Sequence, residues 1–92
     1  MTTDVKKTNM PAGVIVEAIN KETKDLYLAA AFDCEGVRFL DIDKSDKTRM
    51  VFKFEGGEFA DRVERQWWDS TLVVSATNYA ASIRKFKSAI HS

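Results

Sequence analysis

Two aspartates in this sequence have a spacing that could support chemistry. Asp41 and Asp43 lie two positions apart, so on a strand both carboxylates would face the same side and could bind a metal ion or share a proton. A metal site needs further ligands, and the sequence holds a single histidine and a single cysteine. Asp43 also precedes a polar turn, where solvated charge is common. We therefore predict neither a metal site nor a cofactor.

Nucleophilic chemistry has little support. The single cysteine, Cys34, excludes an internal disulfide, and its helical position beside apolar residues favours a small core residue. The histidine, His91, lies at the far end of the sequence from it. Residues 56–57 are a glycine pair that lacks the lysine and hydroxyl residue of a phosphate-binding loop, so they predict a strand-to-helix turn. We predict that the protein is not an enzyme and has no small-molecule substrate.

A set of cations supports one binding hypothesis. Arg49 and Lys53 share one face of a predicted strand, with Val51 between them, so basic and apolar groups interleave there. The hypothesis is a nucleic-acid surface on the hairpin and the basic C-terminal helix, formed by Arg38, Arg49, Lys53, Arg84 and Lys85. Fourteen basic residues balance fourteen acidic ones, however, which argues against binding driven mainly by phosphate neutralisation.

Trp68 supports a different binding hypothesis. It lies opposite the apolar stripe of its predicted helix, so packing against the core does not explain it. It either folds back beneath the following loop or stands exposed as an aromatic anchor for a protein or nucleic acid, where tryptophan is enriched.

A helix over residues 25–36 is the element around which we expect the fold to be arranged. Leu26, Ala30 and Cys34 fall on one face, and Leu28 and Phe32 fall on the opposite face. Such a helix is buried on both sides, so we predict that it lies between a sheet and other helices. Its expected ends are an N-cap at Thr23 and a left-handed residue at Gly36.

Two alternating segments follow and predict an antiparallel hairpin. In residues 37–43, Val37 and Phe39 share one face while Leu40 and Ile42 share the other. Residues 44–47 form a polar turn. In residues 48–55 the inward positions are Met50, Phe52 and Phe54, which we expect to pack against the central helix.

Helical periodicity returns in the second half of the chain. A helix over residues 58–68 has a core-facing stripe of Phe59, Ala60, Val63 and Trp67. Residues 72–74 are a short extended segment that pins the linker to the core, and Ser75 caps a last helix over residues 76–90. Residues 14–19 favour a strand, with a helix beginning near Pro11 as the alternative, and residues 20–22 connect this segment to the central helix.

The expected fold is α+β, with a small antiparallel sheet and three helices in the order (β)-α-β-β-α-α. Residues 1–12 form a flexible N-terminal arm, and residues 13–92 form a single domain of a size that folds without staples. No stretch has the length or apolar character of a signal peptide or membrane helix, so we expect a cytoplasmic protein without a membrane partner.

The order of motifs resembles a domain-of-unknown-function family of small bacterial and phage proteins. The resemblance rests on residues 25–30, Gly36, residues 51–55, residues 73–74 and the closing helix from Tyr79 to Ser88. It covers about residues 23–90. These are packing motifs, so the resemblance implies a fold and a phage or mobile-element origin, and it carries over no functional residues.

Two functions follow from these observations. The first is a non-catalytic protein-interaction or accessory module, with a protein partner or self-association through Trp68. The alternative is a nucleic-acid-binding protein that uses the hairpin and the basic C-terminal helix.

Overall fold

A three-stranded antiparallel sheet and three helices form the part of the chain, residues 20–91, that the computed structural model describes. The elements in chain order are β1 (Asn20–Thr23), α1 (Leu26–Glu35), β2 (Phe39–Asp43), β3 (Val51–Glu55), α2 (Glu58–Trp68) and α3 (Ala76–Ile90). This order confirms the predicted α+β fold. The strand predicted over residues 14–19 and the arm over residues 1–12 lie outside the described residues.

The first described strand, β1, occupies residues predicted to be a connection, so that prediction was wrong. Its side chains are polar, but it pairs along the central strand β3, with Lys21 opposite Phe54. Lys21 Nζ lies 2.7 Å from Asp61 Oδ1 and 2.7 Å from Glu64 Oε1 on α2. Burial by itself would lower the pKa of Lys21, but these carboxylates outweigh it and raise that pKa. Tertiary pairing, rather than apolar periodicity, therefore holds this strand in place.

The sheet order is β1-β3-β2, so the strand that carries the buried Phe52 and Phe54 lies in the centre. The register of β2 shifts at Leu40: Phe39 is opposite Phe54, whereas Ile42 is opposite Phe52. This bulge places Phe39 and Ile42 on the same, helix-covered face and leaves Leu40 41% exposed. The predicted separation of Phe39 and Ile42 onto opposite faces was therefore wrong.

Helix α1 is the buried centre of the fold, as predicted. A continuous run from Leu28 to Phe32 has at most 2% exposure. Asp25, rather than the predicted Thr23, is the N-cap, since its Oδ1 accepts hydrogen bonds from the backbone of Tyr27 at 2.8 Å and of Leu28 at 3.4 Å. Gly36 ends the helix with φ of 96°, which confirms the left-handed residue predicted there.

Phenylalanine rings join the sheet to the helices. The ring centroid of Phe86 on α3 lies 5.1 Å from that of Phe39, 5.4 Å from Phe52 and 6.1 Å from Phe54. From α1, Phe32 lies 5.1 Å from Phe54. The predicted packing of Phe54 against the central helix is confirmed, whereas the ring contact of Phe52 is with Phe86 on α3 and Met50 is half-buried outside the core cluster.

Helices α2 and α3 cover the rest of the core. On α2, Ala60 and Val63 are buried and Trp67 packs against the core, as predicted. Phe59 was predicted in the same stripe but is 40% exposed, with the Arg62 guanidinium 5.3 Å from its ring centre. Phe59 lies in the first turn of α2.

The linker into α3 matches its prediction. Leu72 packs on the core, whereas the neighbouring Val73 is 86% exposed. Ser75 Oγ accepts a hydrogen bond from the Asn78 backbone at 3.3 Å and so caps α3. Among residues 20–91, no helix is long and apolar enough to cross a membrane.

Candidate functional site: a basic pocket

A pocket of about 540 Å³ lies where the start of α1, the hairpin turn and the end of α3 meet. Its apolar lining residues are buried or half-buried and form the floor: Leu26, Met50, Phe52 and Ile90. Its basic lining residues are exposed and form the rim: Lys24, Lys47, Arg49, Lys87 and His91. Thr48 completes the lining, and no Asp or Glu among residues 20–91 belongs to it.

Each side of the pocket is positioned by its own local structure. Lys24 sits between β1 and the capped start of α1. The turn that carries Lys47 and Arg49 is shaped by Asp46, whose Oδ1 accepts hydrogen bonds from Thr48 N at 3.0 Å and Thr48 Oγ1 at 2.8 Å. Lys87 and His91 are four residues apart at the end of α3, so they point to the same side.

The electrostatics of the rim favour an anion. None of the five rim side chains forms an ion pair within residues 20–91. Asp46 is a nearby carboxylate: Thr48 lowers its pKa through both hydrogen bonds, and Lys24 adds a smaller effect of the same sign. Asp46 therefore stays ionised and offsets part of the charge of Lys24, but it forms no ion pair with a rim side chain within residues 20–91. Converging cations on a concave surface raise the local concentration of anions.

Helix electrostatics account for part of this cluster. A cation in the last turn of a helix is stabilised by the helix dipole, which explains Lys87 without a ligand. That effect does not extend to Lys24, Lys47 or Arg49, which reach the same pocket from two other parts of the chain. Local structure therefore does not explain why basic side chains from three parts of the chain line the same pocket.

Of the five predicted basic residues, the structure brings only Arg49 into the pocket. Lys53 lies on the opposite sheet face, in register with Glu22 on β1 and Asp41 on β2. Arg38 and Arg84 are exposed outside the pocket lining. The predicted regions, the hairpin and the C-terminal helix, do meet, but largely through different residues.

Lys85 takes part in a contact within the protein. Its Nζ lies 2.8 Å from Asp33 Oδ1 and 5.4 Å from the ring centre of Phe86. The other oxygen of Asp33 accepts a hydrogen bond from the buried Ser82 hydroxyl at 2.8 Å. These contacts link α1 to α3 and give Lys85 a structural role.

The sheet face opposite the helices is acidic. Asp41, Asp43, Glu22 and Glu55 share this face with Lys53. The backbone and hydroxyl of Ser45 lower the pKa of Asp43, so this carboxylate stays ionised and completes the turn. Within the described residues, no three histidine, cysteine or acidic side chains are grouped to hold a metal ion.

Trp68 is 66% exposed at the end of α2. The interpretation that it folds back beneath the following loop is therefore wrong, and the exposed position is the one observed. Cys34 is half-buried, and burial, then Glu35 and Asp33, raise the pKa of its thiol. A raised pKa reduces the thiolate fraction and with it the reactivity of this cysteine.

Sequence reasoning missed four of the five rim residues: Lys24, Lys47, Lys87 and His91. Lys47 looked like an ordinary residue of a polar turn, and Lys87 like a cation near a helix end. The available signal was the combination of a basic hairpin turn with a basic helix end, but only the tertiary structure brings the two together.

Comparisons of the chain with protein-family models, with curated proteins and with solved structures find no match. The family resemblance drawn from the sequence therefore stays a prediction.

Proposed function

We propose that the protein is a non-catalytic nucleic-acid-binding protein that holds phosphates at the rim of the basic pocket. The observation that carries this proposal is the convergence of five basic side chains from three parts of the chain, with no Asp or Glu of residues 20–91 in the lining: Lys24, Lys47, Arg49, Lys87 and His91. A row of phosphates is the ligand that uses several separated cations at once.

The neutral net charge is compatible with this proposal because the charges are segregated. Four acidic side chains (Glu22, Asp41, Asp43 and Glu55) lie on the outer sheet face, whereas the lining of the pocket within residues 20–91 is basic and apolar. Exposed charges more than about 10 Å apart are largely screened from each other at ~0.1 M salt. A phosphate at the rim is therefore affected most by the basic side chains that line the pocket and by Asp46 in the adjacent turn.

The test is a binding titration of the full chain with a fluorescent oligonucleotide at ~50 and ~200 mM salt. We expect affinity to fall steeply with salt, and Arg49→Ala with Lys87→Ala to weaken binding and reduce the salt slope by about two, one for each lost phosphate contact. The charge-matched control is Arg62→Ala with Arg65→Ala on α2, which should bind as the wild type does.

Two outcomes would contradict the proposal. No binding at ~50 mM salt removes nucleic acid as the ligand. Loss of binding in Lys53→Ala with Arg84→Ala, but not in the pocket variant, would transfer the interface to the surface predicted from sequence.

A second candidate function is protein binding or self-association through Trp68, and the 66% exposure of this large side chain favours it. Trp68→Ala should then change the oligomeric state in sedimentation or remove a partner from a pull-down. Val73→Ala, which changes a nearby exposed apolar residue in the linker, is the control. Unchanged oligomeric state and partners in Trp68→Ala would show that this tryptophan is not an anchor.

The resemblance to bacterial and phage proteins adds a proposed origin in a phage or mobile element. The genes that flank this one in its host would test that origin.

A further inference from the structure

The apolar floor of the basic pocket points to a specific form of nucleic acid. Phosphates in a duplex need only a cationic surface, since the bases are stacked inside the helix. The pocket offers more than that, because Leu26, Met50, Phe52 and Ile90 form a concave apolar surface beneath the cations. We propose that the pocket binds single-stranded nucleic acid, with one unpaired base on the floor and the flanking phosphates at the rim. This inference rests on the proposed function.

The size of the pocket fits one base with its sugar. Sites for small organic ligands have volumes of about 300–1,000 Å³, and this pocket has about 540 Å³. An unpaired base can leave the strand and present its flat face, whereas a paired base in a duplex cannot reach a recess without flipping.

Two floor residues have distinct roles in this arrangement. Phe52 is 3% exposed and its ring centroid lies 5.4 Å from that of Phe86, so the core fixes its position. Met50 is half-buried, just before β3, and its unbranched thioether side chain can adapt to a flat ring. Met50 is therefore the floor residue that can be changed with the least effect on the core.

The number of cations distinguishes nucleic acid from an anionic amphiphile such as a fatty acid. A single carboxylate on an apolar chain would occupy one or two of the five rim groups. Successive phosphates on both sides of a bound base could use more of them, because the rim residues come from three separate parts of the chain. The absence of base-edge contacts in this arrangement predicts binding with little sequence preference.

The experiment compares a labelled 12-nucleotide single strand with its duplex at ~100 mM salt, using fluorescence anisotropy. We expect the single strand to bind at least about tenfold more tightly, because only an unpaired base reaches the floor. Met50→Ala should reduce single-strand affinity about fivefold and leave duplex affinity unchanged. Arg49→Ala with Lys87→Ala should weaken binding of both.

An abasic strand provides a test on the wild-type protein that does not depend on the folding of a variant. It keeps the phosphates but lacks bases, so we expect it to bind about as weakly as the duplex does. Equal affinity for single strand, duplex and abasic strand would overturn the single-strand inference, while salt-dependent binding lost in the rim variant would leave the proposed function intact. Displacement of the strand by oleate at lower concentration than by a free nucleotide would assign the pocket to an amphiphile and overturn the inference. No binding of any strand at ~50 mM salt would remove both.

Discussion

At the scale of single residues, Phe86 is the side chain that packs α3 against both strands of the hairpin. It is 1% exposed, and its ring contacts phenylalanines on both strands of the hairpin. Edge-to-face pairs contribute about 0.5–1.5 kcal/mol beyond their buried area. Removing this ring therefore removes several pair contacts and leaves a cavity.

We predict that Phe86→Ala lowers the free energy of unfolding by about 3–5 kcal/mol. The control is Phe59→Ala, which removes the same side chain from a position that is 40% exposed. That variant should lose clearly less than Phe86→Ala does, since part of its ring is already in solvent and no core cavity is left. Urea unfolding measures both, and equal losses in the two variants would contradict the assignment of Phe86 to the core.

Lys85 shows that the role of a residue depends more on its surroundings in the fold than on its residue type. From sequence it is an outward cation on a basic helix, and so a candidate for a nucleic-acid surface. In the structure its ammonium group forms an ion pair with Asp33. The carboxylate of Asp33 also accepts a hydrogen bond from the buried Ser82 hydroxyl. A side chain from a helix 52 residues away sets its partner, and periodicity within α3 carries no information about that pairing.

At the scale of elements, the hairpin turn combines stability with the candidate function. Asp43 and Asp46 accept hydrogen bonds from backbone groups two residues ahead, at 2.9 Å and 3.0 Å. These Asx turns set the path of the chain through Lys47 and Arg49. The polar composition predicted a turn, and the hydrogen bonds to the two carboxylates explain why the turn has a defined conformation.

The lowered pKa values of Asp43 and Asp46 predict an acid-sensitive turn. A carboxyl whose pKa is lower in the folded state stabilises the fold above its unfolded pKa of about 3.9. That stabilisation is lost as the pH falls through the folded pKa. Asp46→Asn keeps the acceptor oxygen but not the charge, so we expect a lower melting temperature than wild type at pH 6 and a smaller difference below about pH 3. A difference that does not change with pH would show that the charge contributes nothing.

Strand β1 shows where element prediction failed. The residues are polar and short of β-branched side chains, so their sequence alone favours a connection. Pairing with β3 and the two ion pairs of Lys21 are both long-range interactions. The same holds for the bulge at Leu40, since strict alternation assumes a regular register.

At the scale of the whole molecule, two surfaces of the described part of this neutral chain have opposite charge. The outer sheet face is acidic, and the pocket beside the hairpin turn is basic. The neutral net charge of this chain therefore does not indicate which ligands its local surfaces can bind. A ligand that bridges three elements should also stabilise the fold as a whole.

We predict that single-stranded oligonucleotide raises the melting temperature of the wild-type protein. A ligand at a hundred times its dissociation constant adds about 2.7 kcal/mol to the stability of the folded state, which is several degrees for a domain of this size. The increase should vanish at high salt and in Arg49→Ala with Lys87→Ala. An increase of the same size in that variant would locate the ligand elsewhere on the molecule.

The sequence by itself determined the elements that depend on local patterns. Alternation predicted the hairpin, helical periodicity predicted the two later helices, and the two apolar faces of residues 25–36 identified the buried helix. Gly36 and Ser75 marked helix ends because left-handed backbone and side-chain capping depend on residue type. These features involve neighbours within a few positions in the chain.

The tertiary structure alone decided the candidate site. Lys24 and His91 are 67 positions apart in sequence, and their shared pocket depends on how α3 crosses the sheet and where the hairpin turn ends. Sequence periodicity cannot predict that these side chains lie close together, because each one fits its local helix or turn pattern whether or not the others are near. Likewise, the exposure of Trp68 followed from the path of the linker after α2, which its own helix does not set.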